Sequence, residues 1–170
     1  MHKIRNILFV CTGNICRSPM AEALLRARIK SQKFPHDVKA ASVGTHNYHI
    51  GEAPDYRTVR ICQENGIDAS NIKAAQISMQ DFETYDLILG MDKSHVIFLK
   101  DKCPEQYKEK IHLFMEYAGF GKLEVPDPYY GEMEDFLQVY EMVSKGTGAI
   151  LGIVLQSYVI GQEDVKGELV

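Results

Sequence analysis

Arg17 follows Cys11 by six positions in the segment Val10-Cys11-Thr12-Gly13-Asn14-Ile15-Cys16-Arg17-Ser18. Gly13 and Asn14 both tolerate a positive φ, so this short stretch can curl until successive backbone amides face one anion. Arg17 adds a planar fork that grips two oxygens of a phosphate, which a lysine would not reproduce. Cys11 would lie at the base of that ring. Amides, a helix N-terminus and Arg17 all favour its thiolate, and Ser18 can donate a hydrogen bond to the sulfur. A thiolate beneath a bound phosphorus is a nucleophile for in-line phosphoryl transfer. The bland alternative is an inert buried cysteine at a strand end, and an arginine at the start of the next helix weighs against it. The loop lacks a Gly-Lys-Ser/Thr ending, which disfavours nucleoside triphosphates.

Such a loop needs a strand before it and a helix after it, because ligands of parallel α/β sheets bind beyond the carboxyl ends of strands, where helix N-termini offer free N–H groups. Residues 4–10 form an apolar run suited to a strand buried on both faces. Ser18 reads as a helix cap and Pro19 as the first helical residue, with Leu24, Leu25, Arg28 and Ile29 continuing the helix. Residues 38–43, 86–90 and 111–114 read as further strands. Residues 54–65, a short segment capped by Ser78 and Asp81, and residues 93–102 read as helices. A last helix spans residues 132–158, with a possible break at Gly146 or Gly148. Strands and helices alternate, which predicts a single-domain, three-layer α/β fold: a twisted four-stranded parallel sheet flanked by helices on both faces. The domain is expected over residues 1–160, with a frayed polar tail over 161–170.

Composition narrows the classes. A net charge of −4 argues against a nucleic-acid binder. The sequence reads as having no run of the ~20 apolar residues that a membrane span needs, so no membrane partner is expected. Cys11, Cys16, Cys62 and Cys103 show no disulfide-scaffold spacing, which fits a reducing, cytoplasmic setting. Cys62 and Cys103 read as structural.

The loop and the Pro-Met-Ala-Glu-Ala that follows it resemble the low-molecular-weight protein tyrosine phosphatases, whose pattern is C-x5-R-S/T. The likeness extends to residues 42–55, to Met91-Asp92-Lys93-Ser94-His95 and to Asp127-Pro128-Tyr129-Tyr130, in the same order over residues 4–158. It implies hydrolysis of phosphotyrosine in proteins, with Cys11 as nucleophile, Arg17 on the phosphate and Asp127 as general acid and base. Expelling a phenolate of pKa ~10 requires a proton, which a carboxylic acid above the pocket can supply. By itself Asp127-Pro128 is a common turn. Thr12, Gly13, Asn14, Ile15, Cys16 and Ser18 would complete the phosphate site, which would also take free phosphate or other oxyanions. Tyr48, Tyr129 and Tyr130 would wall a slot for the substrate ring. Asn14, Ser42 and Ser94 can support the loop from behind, although each also reads as a capping or turn residue. No metal or cofactor is implied; His46 and His49, three apart, read as bystanders. Cys16 either fills space or forms a protective disulfide with Cys11.

Three departures from the family's pattern stand out. Ile72 and Ala75 occupy positions where familiar members carry His and Arg, and His95 replaces an Asn. Rival readings fare worse. A thioredoxin-coupled arsenate reductase needs a close cysteine pair that Cys62 and Cys103 do not form. An arginine phosphatase would typically carry Thr at Ile15. A dead phosphotyrosine-binding module would be expected to lack the nucleophile or the acid.

Overall fold

Four strands form one parallel sheet in the order β2-β1-β3-β4: β1 (Asn6–Cys11), β2 (Lys39–Gly44), β3 (Leu87–Gly90) and β4 (Ile111–Leu113). The computed structural model describes residues 2–33 and 37–167, with backbone only for 161–167. After β1 the chain builds outwards to β2, then crosses back to place β3 on the other side of β1. The carboxyl ends of β1 and β3 therefore diverge into a crevice, the standard ligand position of open α/β sheets. Helix α1 (Arg17–Lys30) leaves from β1 at that crevice, and α4 (Lys93–Lys102) leaves just after β3.

Every residue of β1 after Asn6 is buried, as a central strand covered on both faces requires. Ile7, Phe9 and Cys11 face the layer of α1 and α6 (Met133–Gly167), where Met20, Leu24, Val139, Val143 and Ile150 pack. Leu8 and Val10 face the opposite layer with Phe82 of α3 (Met79–Thr84) and Leu99 of α4. The expected three-layer architecture is thus present. Helix α2 (Tyr56–Glu64) is capped by Asp55, and the expected Ser78–Asp81 capping box opens α3. The 3₁₀ segment Glu105–Lys110 and the single-turn α5 (Phe114–Tyr117) were not anticipated, being too short to show a period.

Helix α6 departs from expectation in three respects. It is continuous through Gly146 and Gly148 and runs on to Gly167, into the segment expected to fray, while residues 168–170 lie outside the described residues. Its Met133–Ile160 stretch is also long and apolar enough to cross a membrane, contrary to the sequence reading. Its apolar stripe of Phe136, Val139, Val143, Ile150 and Val154 is fully buried, which is the behaviour of a core helix.

The glycines of α6 are explained by what they touch. A Cβ at Gly146 would lie 2.4 Å from Cζ of the buried Phe114 ring, so the ring packs directly on the helix backbone. At Gly152 nothing lies within 4 Å. Gly152→Ala should therefore stabilise by about 0.5–1 kcal/mol through helix propensity. Gly146→Ala should destabilise by about 1–3 kcal/mol, because overpacking against Phe114 exceeds the same propensity gain. Urea denaturation of both variants checks the opposite signs, and a Gly146→Ala protein as stable as the parent would mean that the ring yields freely.

Candidate active site

The loop over residues 11–17 is held in its curl chiefly by Asn14, the one non-glycine residue with positive φ (57°) among those described. Its side chain is fully buried. Oδ1 accepts from the backbone N–H of Ala75 at 3.0 Å, which orients the amide. Nδ2 then donates to Ser18 Oγ at 2.8 Å and to Ser42 Oγ at 2.9 Å. Ser42 Oγ in turn donates to Glu22 Oε1, 2.9 Å away. Burial raises the pKa of Glu22, with the Arg26 guanidinium and Ser42 pulling the other way. Because Ala75 contributes only its N–H, the departure at that position leaves the support of Asn14 intact, and Ile72 simply joins the core.

Ser18 lies one residue inside α1, which begins at Arg17 with no side-chain cap. The expected cap is thus a different device: its hydroxyl, receiving Asn14's proton, sits 2.9 Å from Cys11 Sγ. In that arrangement it can donate to a thiolate. The uncapped N–H groups at the start of α1 remain available to an anion. Gly13 does not use a positive φ as expected; a Cβ there would lie 3.0 Å from the His49 ring. The stricter glycine is Gly44 at the end of β2, where a Cβ would come 2.6 Å from the carbonyl oxygen of Thr12.

Arg17 is almost fully buried, and Nη1 donates to Asp92 Oδ2 at 2.8 Å and to the Val125 carbonyl at 3.0 Å. Nη2 lies 3.9 Å from Asp127 Oδ2. Asp92 also caps α4. Burial alone would raise its pKa, but Ser94, His95 and Arg17 together hold its carboxyl below the usual range. His95 stands behind both groups. Its Nδ1 accepts from the Asp92 N–H at 3.1 Å, so the proton sits on Nε2 and is directed at Thr12 Oγ1, 2.9 Å away. The departure at this position therefore ties α4 to the loop, a role the sequence reading missed.

These elements enclose a cavity of about 220 Å³. Cys11, Thr12, Gly13, Ile15, Cys16 and Arg17 form its floor and sides, with Tyr48, Asp127, Tyr129 and Tyr130 around the mouth. Asn14 and Ser18 lie behind the floor and do not line it. Asp127 is half exposed, and its Oδ1 accepts from the Tyr129 N–H at 3.1 Å. Tyr129 and Tyr130 meet edge to face, with centroids 4.8 Å apart. Of the two histidines read as bystanders to metal binding, His49 lines the cavity, while His46 lies outside the lining and stacks on Tyr48 with centroids 5.0 Å apart. No cluster able to hold a metal ion occurs among the described residues. Burial, then Asp55, pushes the Cys16 thiol far up, so it remains protonated.

The model of the family described as low molecular weight phosphotyrosine protein phosphatase matches residues 6–159. The chain belongs to that family. A phosphotyrosine phosphatase of Gallus gallus is 40% identical over 151 residues, covering 88% of this chain and 95% of its own length. The crystal structure of YfkJ from Bacillus subtilis is 34% identical with a TM-score of 0.82, covering 90% of this chain and 96% of that one. Vibrio vulnificus Wzb, solved in complex with benzylphosphonate, is 31% identical with a TM-score of 0.77, covering 86% of this chain and 96% of its own. The protein is accordingly a protein-tyrosine-phosphatase.

Within this phosphatase His95 offers a stability test. Burial, aided by Arg17 and opposed by Asp92, holds its pKa down from 6.5 to about 4. The folded state thus resists a proton that the unfolded chain accepts, so the contribution is intact above pH 6.5 and declines as pH falls towards 4. The loss should reach on the order of 1–3 kcal/mol, and His95→Asn should abolish that slope. Denaturation of both proteins across this pH range checks it; parallel curves would exclude His95 as the source.

Proposed function

We propose that this enzyme hydrolyses phosphotyrosine in proteins through a phosphocysteine on Cys11, with Arg17 binding the phosphate and Asp127 as general acid and then base. What supports this reading most is that the three groups line one cavity, with Cys11 and Arg17 buried and Asp127 half exposed. Loop amides, α1 and Arg17 bind the dianion. The Cys11 thiolate attacks phosphorus while the bond to the tyrosine oxygen breaks, and Asp127 gives that oxygen its proton. Asp127, now a carboxylate, takes a proton from the water that attacks the phosphocysteine. Phosphate leaves, and the departing sulfur is received by the Ser18 hydroxyl, 2.9 Å away. Loop amides and Arg17 count most when charge builds on the equatorial oxygens.

The aromatic mouth favours a phosphate carried on a ring, and the benzylphosphonate bound by Wzb is an oxyanion of that shape. Free phosphate and other oxyanions compete for the loop. A cytoplasmic setting fits four cysteines that are all free thiols.

Asp127→Asn keeps the turn but cannot donate a proton. It should lose on the order of 10²–10⁴-fold on phosphotyrosine in single-turnover phosphoenzyme formation. The loss should be far smaller on p-nitrophenyl phosphate, whose phenol leaves unaided. Equal losses on the two substrates would place the acid elsewhere.

Cys16 lines the same cavity as Cys11 and is buried. Peroxide converts the Cys11 thiolate to a sulfenic acid, and Cys16 then attacks that sulfur to form a disulfide, its thiol proton leaving with the displaced hydroxide as water. The burial that keeps this thiol protonated makes the attack slow. Activity should return with thiol reductant, and mass spectrometry should find Cys11 linked to Cys16. Recovery of Cys16→Ala as complete as that of the parent would make Cys16 a space-filling residue only.

A further inference from the structure

Arg57 lies outside the cavity lining, yet it is the meeting point of the two loops that frame the cavity. Its Nη2 donates to the carbonyl of Tyr129 at 2.9 Å and its Nη1 to the carbonyl of Gly131 at 3.0 Å. The Tyr129 N–H in turn holds Asp127 Oδ1 at 3.1 Å. One residue thus takes its carbonyl fix from Arg57 and passes it through its amide to the carboxylate.

The guanidinium is itself immobilised. Asp55 receives Nε at 3.0 Å and Nη2 at 2.9 Å in a two-pronged pair, both side chains being largely buried. The Arg57 guanidinium carbon stacks 4.2 Å from the centroid of Phe136, at the start of α6. On its far side Asp55 is anchored to the phosphate loop, its N–H donating to the Ile15 carbonyl at 2.8 Å. The result is a continuous brace from Ile15 through Asp55 and Arg57 to Tyr129 and Asp127. Neither Asp55 nor Arg57 lines the cavity itself. The loop over residues 127–131 is otherwise exposed at Tyr130 and half exposed at Asp127.

We propose that Arg57, braced by Asp55, is a positioning residue that sets the place of the Asp127 carboxylate relative to the phosphate loop and so governs turnover of substrates with basic leaving groups. This rests on Asp127 being the acid. A catalytic group displaced by about 1 Å can lose 10²-fold in rate, so slackening this brace is felt at the proton and not at the phosphate.

Arg57→Lys retains the charge and the alkyl stem over Phe136, but one ammonium cannot span two carbonyls and a carboxylate together. In single-turnover phosphoenzyme formation it should slow phosphotyrosine about 10-fold and p-nitrophenyl phosphate less than about 2-fold, with apparent affinity little changed. Combined with Asp127→Asn it should add less than about 2-fold on either substrate, because the group it positions no longer acts. Asp55→Asn, which keeps a good cap on α2 but removes the charge that holds Arg57, should give the same selectivity and serves if Arg57→Lys folds poorly. Equal slowing of both substrates by these variants, or the same slowing in the Asp127→Asn background, would reduce Arg57 to a structural residue. Failure of the acid assignment reads differently: Asp127→Asn alone would then slow both substrates equally.

Discussion

A left-handed backbone residue with a buried amide side chain is costly unless every polar atom of that amide is used. Asn14 uses them all: one acceptor for Ala75 and two donors for Ser18 and Ser42. These bonds reach three separate segments, and each anchors a different part of the site. Ser18 faces the sulfur of Cys11, Ser42 leads to Glu22 under α1, and Ala75 ties in the segment beside β2. The curl of the loop is thereby set by tertiary contacts, which makes its shape present before any anion arrives. Preformed donors of that kind need no reorganisation when charge develops.

The charges gathered around the loop follow a consistent pattern. Arg17 is buried but paired with Asp92 and a carbonyl, which avoids the cost of a lone buried cation. Its pairing uses Nη1, while Nη2 lies on the side of Asp127. His95 stays neutral behind them, so the attraction of a dianion rests on Arg17 and the loop amides. Cys16, raised by burial and Asp55, leaves Cys11 without a competing thiolate.

Much of this was legible in the residues. The apolar run of β1, the small loop, Arg17 and Pro19 lie within fifteen positions, where local rules apply, and the helix read over residues 93–102 has the limits of α4, which Asp92 caps. Where the reading failed, distant contacts had decided the outcome. Ser18 before Pro19 has the pattern of a cap, and only the buried amide of Asn14 shows why it faces inwards. Gly146 has the propensity of a break, but the Phe114 ring that needs the bare backbone lies 32 positions away in the chain. The ties of His95 to Thr12 and of Arg57 to Tyr129 join segments more than 70 positions apart, which no spacing rule detects. The apolar character of α6 was underread because its glycines and polar residues interrupt the run.

Helix α4 lies outside the cavity, but its first turn is fused to the phosphate loop. Asp92 and His95 close its capping box, and the same two side chains hold Arg17 and Thr12. Fraying of that turn and slackening of the loop are consequently a single opening event. Local openings of this sort set the rate at which backbone amides trade their hydrogens with solvent. The exchange of the amides of Asp92 and His95 is thus a clock for the readiness of the loop, audible in a helix that no substrate needs to touch.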